Sequence, residues 1–145
     1  MRKGLNWSIV VKNRNRMKEI CSQHGFHVVS IVSIMNILHM PDFYKWCVET
    51  EFIIRGSISL YYLSTPEYLN IKGLSQDKKQ EVIDKYNTFF NEYLNKDIRT
   101  REHFQAILNY MQNDSITVNF KDRILRLDKI RNENFEEIFP EIAGI

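Results

Sequence analysis

Residues able to do chemistry are present in this chain, but their spacing forms few of the usual constellations. The two cysteines, Cys21 and Cys47, lie far apart and in apolar, helix-like surroundings. That suits reduced thiols in a cytoplasmic setting better than a disulfide scaffold. The four histidines, His24, His27, His39 and His103, have no i, i+4 pair and no neighbouring cysteine or carboxylate cluster to complete a zinc set. His39, just before Pro41, is the most site-like and is expected to be a satisfied turn residue. No G-x-S-x-G elbow occurs, and the five glycines are isolated, so neither a hydrolase nucleophile nor a phosphate loop is indicated. What remains are hydroxyl and amide groups following two candidate strands: Ser33 and Asn36 after the first, Ser64, Thr65 and Tyr68 after the second. In a parallel α/β sheet the carboxyl ends of the strands are where ligands bind. The competing expectation for these residues is local capping of loops, with Thr65-Pro66-Glu67 opening a short helix.

The elements that would position these groups follow from the hydrophobic pattern. Trp7, Val10, Val11, Met17, Ile20 and Cys21 recur at helical spacing behind Asn6, a good cap, and Gly25 suits a left-handed helix end. The stretch from Phe26 to Ile34 is β-branched and apolar at odd and even positions alike. It therefore predicts a strand covered on both faces, in which Ile31→Asp would unfold the protein. Pro41-Asp42 opens a helix burying Phe43, Trp46 and Cys47. A second strand, Ser57 to Leu63, puts Ile58, Leu60 and Tyr62 on one side with Tyr61 and Leu63 on the other, which completes a βαβ unit.

The second half is helical. Ser75 caps a helix carrying Val82, Ile83, Tyr86, Phe89, Phe90 and Tyr93, and Thr100 caps one with Phe104, Ile107, Leu108 and Met111. A last helix runs from about Val118 to Phe139, with Phe120, Ile124, Leu127 and Phe135 inward, until Pro140 stops it. The aromatic residues are expected to pack the core rather than stack bases. Asp128 and Arg131 are expected to form a surface ion pair of little energetic consequence. The fold class is α/β, with a βαβ segment over 1–73 and a helical extension over 74–145 packed as one domain.

The 145 residues carry a net charge of only +2. The basic residues Arg2, Lys3, Lys12, Arg14, Arg16 and Lys18 precede the first acid, yet Lys12 and Arg16 face one way and Arg14 and Lys18 another. Solvated helix charges are expected, and a nucleic-acid partner is disfavoured. No apolar run approaches the length of a membrane span, and no secretory signal is read. Two parallel strands make a poor sheet alone. Completion by another chain, by a second copy or by an upstream segment is therefore expected.

Leu5-Asn6-Trp7, Asn13 and Arg16-Met17-Lys18-Glu19-Ile20-Cys21 resemble the helix before a late barrel strand in radical S-adenosylmethionine (SAM) proteins with a twitch-type carboxy-terminal extension, common in phages and bacteria. The resemblance continues through Val32 to Phe43 and Trp46, through Ser64 to Ile71, and over Leu127-Asp128-Lys129-Ile130-Arg131 and Phe139-Pro140-Glu141. It implies the carboxy-terminal part of a partial (β/α)6 barrel. Such enzymes hold a 4Fe-4S cluster on C-x3-C-x2-C, and that cluster binds SAM and cleaves it to a radical. This chain has neither the cysteine motif nor the glycine-rich SAM segment. The resemblance thus implies no catalysis by the chain alone and a cluster-bearing amino-terminal half as partner. Ser33, Asn36, Ser64, Thr65 and Tyr68 would then face SAM or substrate. The alternatives are a noncatalytic, self-associating module and, more weakly, a nucleic-acid accessory using the basic first helix.

Overall fold

A computed structural model describes residues 6–21 and 25–140. Arg2, Lys3, Leu5, His24 and Glu141, which entered the reading above, lie outside the described residues.

Helix α1 (Trp7–Ile20) starts where Asn6 accepts the Ser8 amide N–H, as the capping preference dictates. It buries none of its residues, however. Its hold on the body comes chiefly from Trp7 and Arg14, with an exposed Lys18–Glu51 ion pair at 3.4 Å beside them. The Trp7 ring lies 5.4 Å from Trp46 and 6.0 Å from Phe52. The Arg14 guanidinium donates to the carbonyls of Glu51 and Phe52 and sits over the Phe26 and Phe52 rings. Arg14 is thus a bracket between segments rather than a free surface charge. The helix ends at Ile20, and Gly25 does not adopt the left-handed conformation expected of a helix terminator.

Strands β1 (Val28–Val32) and β2 (Ile58–Tyr62) pair in parallel, Val28 opposite Ile58 through Val32 opposite Tyr62. Helix α2 (Met40–Glu49) lies between them in sequence, with proline in its first turn as expected. Its buried face is Met40, Pro41, Tyr44 and Cys47, so Tyr44 takes the place expected for Phe43 and Trp46, which are half-buried.

The expectation of a doubly covered first strand is overturned. Val32 is fully buried, but Val29 and Ile31 are 63% and 56% exposed, as is Tyr61 at 60%. The sheet therefore has a covered face carrying Val28, Val32, Ile58 and Leu60, and an open face carrying His27, Val29, Ile31, Ser59 and Tyr61. His27 Nε2 and Ser59 Oγ meet across that open face at 2.8 Å. Apolar residues stood at both parities because the open face is apolar too, not because something covers it.

Helix α3 (Gln76–Glu92) is capped by Ser75, whose hydroxyl accepts the Lys78 N–H. Helix α4 (Ile98–Gln112) is capped by Asp97, not Thr100. Asp97 Oδ1 accepts the Thr100 N–H, while Thr100 itself is buried beside the Tyr44 hydroxyl. These two helices and α2 meet in an aromatic core. The Phe104 ring lies 5.0 Å from Phe89, 5.7 Å from Tyr44 and 5.8 Å from Tyr86, all edge-on, the arrangement that ring quadrupoles favour. The Tyr86 hydroxyl donates to the Ile37 carbonyl at 2.9 Å, and burial pushes its pKa far up. Helix α4 also supports the sheet: Tyr110 stacks on Tyr62 at 3.6 Å, and His103 Nδ1 lies 3.1 Å from the Ile58 carbonyl oxygen.

The single last helix expected is two helices, α5 (Phe120–Arg131) and α6 (Phe135–Ile138). Asn132 takes a left-handed conformation, φ 51° and ψ 53°, which asparagine tolerates better than most residues. Asn134 then caps α6 by accepting the Glu136 N–H. The Asp128 carboxylate accepts the Phe135 N–H at 2.9 Å, so it ties the two helices together rather than pairing with Arg131.

Candidate binding cavity beside the carboxyl ends of the strands

The segments that follow the two strands are joined by one backbone bond, from the Ile34 N–H to the Leu69 carbonyl at 3.0 Å. Within this junction Ser33 and Asn36 serve their own turn. Asn36 Oδ1 accepts the Ser33 N–H at 2.8 Å, and Asn36 Nδ2 donates to the Ile31 carbonyl at 2.9 Å. Both polar ends of the asparagine amide are thereby used within the loop, the capping role set against ligand binding above. Ser64 and Thr65 are exposed on the other loop. Pro66 stands just before the short 3-10 turn Glu67–Leu69, its carbonyl accepting the Leu69 N–H at 3.0 Å.

Tyr68 lines a cavity of about 400 Å³, and Ser33, Asn36, Ser64 and Thr65 are not part of that cavity's lining. Met35 and Leu69 complete its strand side, and Ile124, Leu127 and Phe135 from α5 and α6 close the other. Asp128, Arg131 and Glu133 are its charged residues. The volume falls in the range of small-molecule pockets, and the lining is mostly apolar, as such pockets are. Its apolar wall was legible as the inward face of the last helix. The cavity was not, because it exists only through the bend at Asn132.

The cavity does not bring together a nucleophile and a base. Among the described residues no group of three His, Cys, Asp or Glu side chains is placed to hold a metal ion. Neither cysteine lines this cavity, so its residues offer no thiolate set for a 4Fe-4S cluster, and Asn36 spends one donor and one acceptor of its amide within its own loop. Cys47 is buried among apolar side chains, which pushes its thiol up to about 11; Cys21 is exposed. The Cys47 thiol therefore lacks the lowered pKa that marks a reactive cysteine.

Fold and cavity together define a helix-rich α/β protein whose small parallel sheet is covered on one face only. Comparison of the chain with family models, with curated proteins and with solved structures finds no match. No helix among the described residues is long and apolar enough to cross a membrane.

Proposed function

We propose that this chain is a noncatalytic assembly module that docks the open face of its sheet against the same face of a second copy. The observation that carries this reading is the exposure of Val29, Ile31 and Tyr61, side by side on a two-stranded sheet. A β-sheet face of this composition is ordinarily packed against another layer. Neither strand contains a charged residue, so two copies meeting face to face bring no like charges together. A two-fold axis between the sheets would make the contact self-complementary. Three large side chains cover much less than the roughly 800 Å² per partner of a stable interface, so the dimer is weak, with micromolar affinity or worse. Unpaired Cys21 and Cys47 accord with a cytoplasmic setting.

Sedimentation velocity over a concentration series tests this. The expected result is a reversible monomer–dimer equilibrium that Val29→Lys abolishes while leaving the circular dichroism unchanged. A wild-type protein that stays monomeric at high concentration, or a variant that dimerises equally well, would overturn it.

A second reading follows the resemblance. The partner is then the cluster-bearing half of a radical SAM barrel, and this chain supplies the last part of a partial (β/α)6 barrel and no chemistry of its own. The parallel sense of β1 and β2 favours it, since barrel strands are parallel. In that assembly SAM and the cluster belong to the partner, and Tyr68 is the residue best placed to line a shared substrate end.

A further inference from the structure

All three charged residues of the 400 Å³ cavity beside Tyr68 come from one short stretch of chain. Asp128 and Arg131 lie three apart at the end of α5, a spacing that puts them on one helix face. Glu133 follows the left-handed Asn132, and its backbone N–H returns to the Asp128 carbonyl at 3.1 Å. The segment 128–133 is thereby folded into a tight turn that gathers two carboxylates and one guanidinium at one end of the cavity. The rest of the wall is mostly apolar, with the rings of Tyr68, Phe135 and Phe139 in it. Phe135 and Phe139 stack with their centroids 5.1 Å apart, which extends the aromatic surface.

Each group restricts what fits. The Arg131 side chain has no hydrogen bond or ion pair among the described residues, so its planar set of donors is open to a carboxylate. The Asp128 carboxylate accepts the Phe135 N–H and keeps further acceptor capacity. A purely anionic ligand would meet two carboxylates here, and a purely cationic one would meet the guanidinium. Like charges brought together at an apolar cavity repel more strongly than in water. A ligand with both charges at one end and an apolar group at the other complements the whole lining.

We propose that this cavity binds a free α-amino acid with a large apolar side chain, preferably an aromatic one. Its carboxylate pairs with Arg131 and its ammonium group points toward the Asp128 and Glu133 carboxylates. The side chain lies against Tyr68, Phe135 and Phe139. At about 400 Å³ the cavity sits at the small end of the range for ligand pockets, in keeping with a ligand of this size. It shares no residue with the open sheet face, so the inference stands apart from the assembly reading.

A heteronuclear NMR titration of the full chain with L-phenylalanine tests the proposal, with phenethylamine and 3-phenylpropionate as ligands lacking one charge each. Saturable shifts confined to the residues around the cavity are expected for phenylalanine, with a Kd of about a millimolar or tighter. Each single-charge analogue should bind about tenfold more weakly, the usual consequence of losing a charge-assisted hydrogen bond. Arg131→Gln, at an exposed position, should weaken phenylalanine about tenfold and leave phenethylamine unaffected, a split that general damage to the fold would not produce. No saturable binding at millimolar phenylalanine, an analogue that binds as tightly, or an Arg131→Gln protein that weakens both ligands equally or neither would overturn the site.

Discussion

Adjacent residues Ile31 and Val32 give the sharpest test of the one-sided sheet, because an aspartate at each should have very different consequences. Val32 is fully buried against the core, and Ile31 is 56% exposed. Complete burial of such a side chain is worth about 1.5–3 kcal/mol. Less than half of that is at stake at Ile31, and the poor strand propensity of aspartate adds up to about 1 kcal/mol. Ile31→Asp should therefore cost about 1–2 kcal/mol in the monomer, its carboxylate remaining in water. At Val32 the same change loses the whole burial term and also strands a carboxylate without a partner, at a cost of at least about 4 kcal/mol. A domain of this size has about 5–15 kcal/mol in total. Urea denaturation of dilute protein, followed by tryptophan fluorescence, measures both, since Trp7 and Trp46 are in contact across the α1 junction. Ile31→Asp should remain cooperative and lose about 2–8 °C in melting temperature, while Val32→Asp should be largely unfolded. Two equally unfolded variants would refute the alternation of faces and restore a sheet covered on both sides.

Other consequences follow from the buried groups. Tyr86→Phe deletes a buried hydroxyl that bonds the Ile37 carbonyl beside the Met40 N–H and should cost about 1 kcal/mol by chemical denaturation; a neutral result would mean that the Met40 N–H suffices for that carbonyl. In native protein at pH 8 an aromatic disulfide reagent should label Cys21 rapidly and Cys47 only after denaturant is added, as the exposure of the two thiols and the raised Cys47 pKa require. Equal labelling rates would contradict that burial. Desolvation on α3, and then the Lys72 charge, lower the pKa of Lys79, and the sign of the effect is defined. Between its folded value and the ordinary 10.5 the unfolded chain binds more protons, so stability should rise with pH across that window. Lys79→Met should flatten this rise; an identical pH profile in the variant would place the effect elsewhere.

Much of the local structure was legible in the sequence because single side chains decide it. Asn6 and Ser75 are caps with accessible oxygens, Pro41 can open a helix and not continue one, and Tyr86, Phe89 and Phe90 share the inner stripe of α3. The parity of β2 likewise put Ile58 and Leu60 on one side, which is the covered one, although Tyr62 at the same parity is half exposed. The failures share a physical origin. Apolar type says where a residue gains by burial, not whether a neighbour is there to bury it, and so Val29 and Ile31 were misread. The break at Asn132 depends on a carboxylate seven residues from the amide it binds, a contact that helical periodicity does not encode. The candidate cavity depends on that bend, which is why the sequence offered Tyr68 as a strand-end residue without the far wall it faces. The buried Lys79 went unnoticed because lysine in an amphipathic helix ordinarily marks the wet side.

The most direct measurement is an isotope-filtered NOE experiment on a concentrated mixture of methyl-labelled and unlabelled protein. The account predicts intermolecular contacts from the Val29 and Ile31 methyls to the Tyr61 ring of the other copy. Intermolecular contacts confined to α1 or another surface, or none under conditions where the protein is dimeric, would contradict it.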